Sequence, residues 1–118
     1  MYEEAVRLAE LLTGLGVYDK VTVYESSAEC VLLTARRGNT LHLMALARHE
    51  DWIYVKVAPA DALQAASWSC SNLYYTPYGL YAFARSIEEL AEKIAAKQAR
   101  LRAQERILEE ALRRGVVE

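Results

Sequence analysis

CVLLTARRGNTLHLMALARHEDWIYVKVA, residues 30–58, holds three apolar runs broken by two tight turns. Arg37-Gly38-Asn39 and His49-Glu50-Asp51 are hairpin loops by length and composition, and Pro59 stops the last run. VTVYES (21–26) adds a strand before them, across the turn SSAE. Four strands joined by such short turns form an antiparallel meander.

Outward from the meander, residues 3–15 read as an amphipathic helix. Ala5, Leu8, Ala9, Leu12 and Leu15 make its stripe, and Gly14 and Gly16 end it. Residues 60–67 read as a helical turn or a surface loop. NLYYT (72–76) and LYAFAR (80–85), linked by Pro77-Tyr78-Gly79, read as a fifth and sixth strand or an extended hairpin. Ser86–Gly115 reads as one helix roughly 44 Å long. Ser86 and Glu89 form a capping box, Arg113 and Arg114 suit the negative end of the dipole, and Gly115 suits a left-handed C-cap. The expected fold is α+β: an N-terminal helix, a four- to six-stranded antiparallel sheet and a long C-terminal zipper-like helix. Residues 1–85 would be the globular part and 86–118 an oligomerisation helix.

The zipper expectation rests on spacing. Ile87, Ile94, Leu101 and Leu108 recur at sevens, with Leu112 flanking the far end. The companion row, Leu90, Lys97, Gln104 and Ala111, is half polar. A short dimeric or tetrameric coiled coil is expected, with the first two turns, Ile87 to Ile94, packed on the body and Ile94, Leu101, Leu108 and Leu112 in its contact. The alternative is a helix lying on its own sheet.

A chain of 118 residues that is 53% hydrophobic is long enough to bury a modest core. No apolar run approaches the ~20 residues of a membrane span. The start lacks a basic segment followed by an apolar run, so a cytoplasmic protein with no membrane partner is expected. Cys30 and Cys70 lack the spacing of a redox or zinc motif and are expected in buried apolar positions. Two Asn and three Gln beside abundant Arg, Glu and Tyr fit a thermophilic source. The net charge of −2 argues against a polyanion as partner, but the middle of the chain is mildly basic.

Strand alternation sorts the candidate site. Ile53, Val55 and Val57 point one way; Trp52, Tyr54 and Lys56 point the other. Likewise Leu80, Ala82 and Ala84 oppose Tyr81, Phe83 and Arg85. His42, Met44 and Arg48 share a face of the third strand, and Thr34 and Arg36 one of the second. Eight of the eleven aromatic residues lie between Trp52 and Phe83. Aromatic rings interleaved with Arg and Lys suit single-stranded nucleic acid, whose bases stack for roughly 1–3 kcal/mol each. The same residues are also good strand formers and core fillers.

Catalytic patterns are weak. The carboxylates lie in turns or at strand ends, and no glycine-rich phosphate loop or nucleophile elbow occurs. His42, His49, Cys30 and Cys70 lack finger spacing. No enzyme activity, metal or cofactor is expected.

The order of elements, the Trp- and Tyr-rich middle and the C-terminal zipper-like helix resemble the ThermoDBP group of archaeal single-stranded DNA-binding proteins. The resemblance covers almost the whole chain and is one of architecture and composition. It implies an aromatic-lined cleft with basic edges in the globular part and assembly through the last helix. Carried over, it makes Trp52, Tyr54, Tyr81 and Phe83 the stacking surface and Lys56, Arg36, Arg48 and Arg85 the phosphate contacts. The expected function is non-enzymatic binding of single-stranded DNA or RNA by a homo-oligomer. The alternative is an oligomeric adaptor whose aromatic face takes a peptide or protein.

Overall fold

In the computed structural model, residues 1–115 are described, with the backbone alone at 99–102, 104 and 105. Helix α1 spans Tyr2–Gly14 and buries Ala5, Leu8 and Leu12 of its predicted stripe, while Ala9 is half-buried and Leu15, at the C-cap, is exposed. Strands β1 (Lys20–Ser26), β2 (Cys30–Arg37), β3 (Thr40–His49) and β4 (Trp52–Pro59) then run as the expected antiparallel meander. Strand β5 (Leu80–Ala84) pairs with β4, so the sheet order is β1-β2-β3-β4-β5. The sheet has five strands.

The strand expected at NLYYT is a correction. NLYYT falls within helix α2, Cys70–Tyr75. Its aromatic residues have high strand propensity, but Ser69 supplies a helix start: its side chain accepts a hydrogen bond from the Asn72 amide at 3.1 Å. Two 3₁₀ turns, Ala60–Ala62 and Ala65–Ser67, lead into it. The two cysteines are a second correction. Cys30 at the start of β2 and Cys70 at the start of α2 are joined in a disulfide, with Cα atoms 6.5 Å apart. A separation of 40 residues carries no signature by which sequence could pair them. Such bonds belong to oxidising compartments or to the intracellular proteins of hyperthermophiles.

Helix α3 spans Ile87–Arg114, and its caps are those read from sequence. Ser86 Oγ accepts from the Glu89 amide, Glu89 accepts in return from the Arg85 amide, and Gly115 adopts φ 68°. At ~1.5 Å per residue the helix is ~42 Å long, which matches the longest dimension of the molecule, 42 Å.

The main core lies between the sheet and helices α1 and α3. Val31, Leu33, Ala35, Met44, Leu46, Ile53, Val55, Val57, Ala82 and Ala84 meet Ala5, Leu8, Leu12, Ile87, Leu90, Ala91 and Ile94. Gln98 extends the seam in polar form, donating to the Val17 carbonyl and accepting from Arg37. A smaller core lies on the other face, where Leu73 of α2 covers Leu32, Leu43, Ala45 and Ala58. Residues 60–78 are thus a cap on part of that face. Gly79 closes it against β4: with φ 114°, a Cβ there would stand 2.4 Å from the Val57 carbonyl.

Burial also corrects the zipper row. Ile94, expected both in the core-packed first turns and in the helix contact, is 2% exposed, and Leu108, expected in the contact, is 6% exposed within the single chain. Leu112 is exposed, as is Ile107, and the side chain of Leu101 lies outside the described residues. The recurrence at sevens arises largely because one helix follows its own domain, burying Ile87 and Ile94 in the main core. Among the described residues no helix is long and apolar enough to cross a membrane.

Candidate functional site

Because β4 and β5 alternate in register, the cap-side face gathers a row of rings. Tyr54 opposes Phe83, and Lys56 opposes Tyr81. Phe83 stands 6.0 Å from Tyr81 and 5.9 Å from Tyr54, centroid to centroid, in stacked arrangements. Tyr74, reaching in from α2, stacks on Tyr81 at 6.3 Å and tilts against Tyr54 at 6.0 Å. At the turn end, the Arg85 guanidinium lies 4.9 Å from the centre of the Trp52 ring.

Three of these rings face solvent. Trp52 is 40% exposed, Tyr81 39% and Phe83 49%. Tyr54 and Tyr74 are half-buried and support them, while Tyr75 projects from the cap. Burial and the neighbouring Tyr54 push the Tyr74 phenol far above its ordinary range, so it stays protonated. Its hydroxyl donates to the Ala45 carbonyl at 3.4 Å.

Lys56 belongs to this row but not to its surface. It is 4% exposed, and its ammonium donates to the Tyr74 and Thr76 carbonyls beneath the Tyr81 ring, 5.3 Å from the centroid. Burial lowers its pKa from the usual lysine value. Tyr81 donates its hydroxyl to the same Tyr74 carbonyl, at 3.2 Å. Lys56 and Tyr81 therefore pin the cap to the sheet, and a phosphate contact by Lys56 is corrected to this internal role.

Two other expected cations are elsewhere. Arg48 pairs with Ile53, which puts it on the helix-covered face. There its Nη2 donates to Glu4 of α1 at 2.7 Å, and that hydrogen bond holds the Glu4 carboxyl below the usual carboxylate range. Arg36 is on the cap-side face but on β2, with β3 and β4 between it and β5. Of the four arginines and lysines expected to flank the rings, the fold brings Lys56 beneath Tyr81 and only Arg85 to a ring at the surface.

Two cations that sequence reading passed over take their place. Lys93 and Lys97 of α3 donate to the Phe83 and Tyr81 carbonyls at 2.5 and 2.6 Å, along the outer edge of β5. An ammonium has three donors: Lys97 retains capacity beyond this bond, while Lys93 also pairs with Glu89 at 3.3 Å. Lys97 looked like a defect in a zipper row. Its spacing of four from Lys93 is the signal that both lie on one helix face. At the turn end Glu4, Glu29 and Glu50 surround a hollow shared with Tyr54 and with Arg48, whose guanidinium Glu4 holds.

The arrangement offers flat ring faces, a stacked guanidinium and a flank of two ammonium groups. Cys30 and Cys70 are joined to each other, and among the described residues no three His, Cys, Asp or Glu side chains gather as metal ligands. Compared with family models, with curated proteins and with solved structures, the chain matches none.

Proposed function

We propose that the Trp52–Phe83–Tyr81 row binds single-stranded nucleic acid, DNA or RNA, by stacking bases on its exposed rings. One observation carries this: three rings lie open along adjacent strands while Arg85, Lys93 and Lys97 line one side. The Tyr81 and Phe83 rings, two positions apart on β5, stand 6.0 Å apart, and Trp52 continues the row from β4, which suits an extended strand with one base per ring. Ring faces accept any base, so little sequence preference is expected. The cations would meet phosphates and make the affinity fall with salt. The protein acts here as a binder and not as an enzyme. The likeness to ThermoDBP proteins belongs to this proposal, as does a homo-oligomer that offers several rows to one strand and gains avidity.

The adaptor reading has one observation in its favour: Lys56 and Arg48 are withdrawn from the row, and Glu29 and Glu50 border it. Fluorescence anisotropy of labelled oligothymidylate and oligouridylate across a salt series separates the two. Binding that weakens with salt, with a shallower slope when Arg85, Lys93 and Lys97 are replaced by Ala, supports nucleic acid. No binding by micromolar protein in low salt overturns it and leaves the apolar protein surface.

A further inference from the structure

The two edges of the sheet are finished differently. Along β5 the Tyr81 and Phe83 carbonyls are occupied by Lys97 and Lys93. β1 is the opposite edge, and among the described residues no strand pairs with its outer side. Beside it, α1 leaves a groove of about 610 Å³ walled by Tyr2, Val6 and Ala9. An open edge next to a partly apolar helix flank is a site for another strand.

The register of β1 decides which strand fits. Val21 and Val23 oppose Ala35 and Leu33 and so lean to the helix-covered face. Lys20 and Thr22 lean to the other face. The register shifts between Val23 and Glu25, leaving Tyr24 as an extra residue whose ring packs on Trp68 of the cap. Glu25 opposes Leu32 and thereby returns to the face of Lys20 and Thr22. With Tyr24 set aside, the paired order is Lys20, Val21, Thr22, Val23, Glu25, which is complementary to its own reverse. Neither Lys20 nor Glu25 has an ion-pair partner among the described residues.

We infer that β1 pairs antiparallel with β1 of a second copy, about a two-fold axis through Thr22. Lys20 then meets Glu25 of the other copy twice, Val21 meets Val23 twice, and Thr22 meets Thr22. Opposite charges, β-branched pairs and Thr–Thr are each favourable cross-strand neighbours. A bulge normally blunts an edge. Here both strands carry the same bulge at the same distance from the axis, so it sets the register without abolishing pairing. The axis is perpendicular to the sheet, so a ten-stranded sheet results with both copies of α1 on one face. The two aromatic rows share the opposite face, nine strand spacings or roughly 43 Å apart. This assembly stands independently of what those rows bind.

Sedimentation equilibrium of the full chain, with circular dichroism to confirm folding, tests it. The expected result is a concentration-dependent dimer that Lys20→Glu or Glu25→Lys alone weakens about tenfold, because each sets like charges opposite one another. The double variant K20E/E25K restores the pairing with its signs exchanged and should recover the native affinity. Thr22→Lys, which puts two ammonium groups on the axis, should also weaken it. A chain that stays monomeric at millimolar concentration overturns the inference. So does a dimer indifferent to the single reversals, or one that Leu112→Glu dissociates while the reversals do not.

Discussion

Under α1 and α3 the sheet presents Val31, Leu33, Met44, Leu46, Val55 and Ala82, all buried, and two helices cover the whole surface. On the opposite face the same strands present Leu32, Leu43, Ala45, Lys56 and Ala58 toward the cap and Tyr54, Tyr81 and Phe83 at the other end. Only the first part is covered, by a cap of fewer than twenty residues tied down through the Cys30–Cys70 bond and the Lys56 ammonium. One face is closed by apolar burial, which is insensitive to detail. The other is divided by a few specific links, and where those links end the rings begin. A binding surface here is the part of a sheet face that a small cap leaves uncovered.

The largest effect expected from this contrast is in the helix-covered core. Leu90→Ala removes a fully buried side chain between α3 and the sheet and should cost about 2–5 kcal/mol in urea unfolding. The same truncation at Phe83 should cost far less, because half of that ring already faces water. Equal losses at the two sites would break the distinction between the faces. Next comes the tie on the cap. Replacing Cys30 and Cys70 together by Ser opens a loop of 40 residues and should lower stability by about 2–4 kcal/mol. Hydrogen exchange should then rise in residues 60–78 before it rises in the main core. Uniform loss of protection would mean that the cap and core are one cooperative unit.

How far this division could be read in advance differs between the faces. The helix-covered face was legible because it follows two periodicities, alternation along β4 and β5 and the apolar stripe of α1. Helix α3 was legible at both ends, since Ser86, Glu89 and Gly115 are local signals. Its row at sevens was misleading. A helix packed on its own sheet and a helix packed on a partner bury the same kind of stripe, and Leu108 folds back onto its own chain. The cap was not legible, because Tyr74 and Tyr75 favour strands while Ser69 and a bond from 40 residues away fix a helix.

The candidate row itself was half legible. Alternation placed Trp52, Tyr54, Tyr81 and Phe83 on one face, but counting cations by proximity in sequence failed. Arg48 sits at an even position with Met44, and strand register sends that side to α1. Lys56 has the right parity, yet the cap closes over it. Lys93 and Lys97 reach the row only because α3 crosses β5, a contact between segments distant in sequence.

Binding effects should be intermediate in size. Trp52→Ala and Phe83→Ala should each weaken oligonucleotide binding by about 1–3 kcal/mol by anisotropy, with folding retained. Truncation of Tyr2, an exposed ring beside α1 on the far side of the sheet, should leave binding unchanged. Loss of affinity at Tyr2 equal to that at Phe83 would erase the difference between the faces. The smallest effect concerns Glu4, whose carboxyl the Arg48 hydrogen bond holds below the usual carboxylate range. A lowered carboxyl contributes stability that is present above the unfolded pKa and lost as pH falls through the folded one. Arg48→Ala should therefore cost under about 1 kcal/mol at pH 7 and flatten the acid limb of the stability profile, without altering binding.

The central claim is that nucleic acid meets the uncovered end of the cap-side face. Amide chemical-shift mapping of the protein during titration with an unlabelled oligothymidylate tests it directly. Shifts should concentrate at residues 52–54, 81–85 and 93–97 and be small over α1 and β1. Shifts centred on Arg36 or Arg48, or none at saturating oligonucleotide, would contradict it.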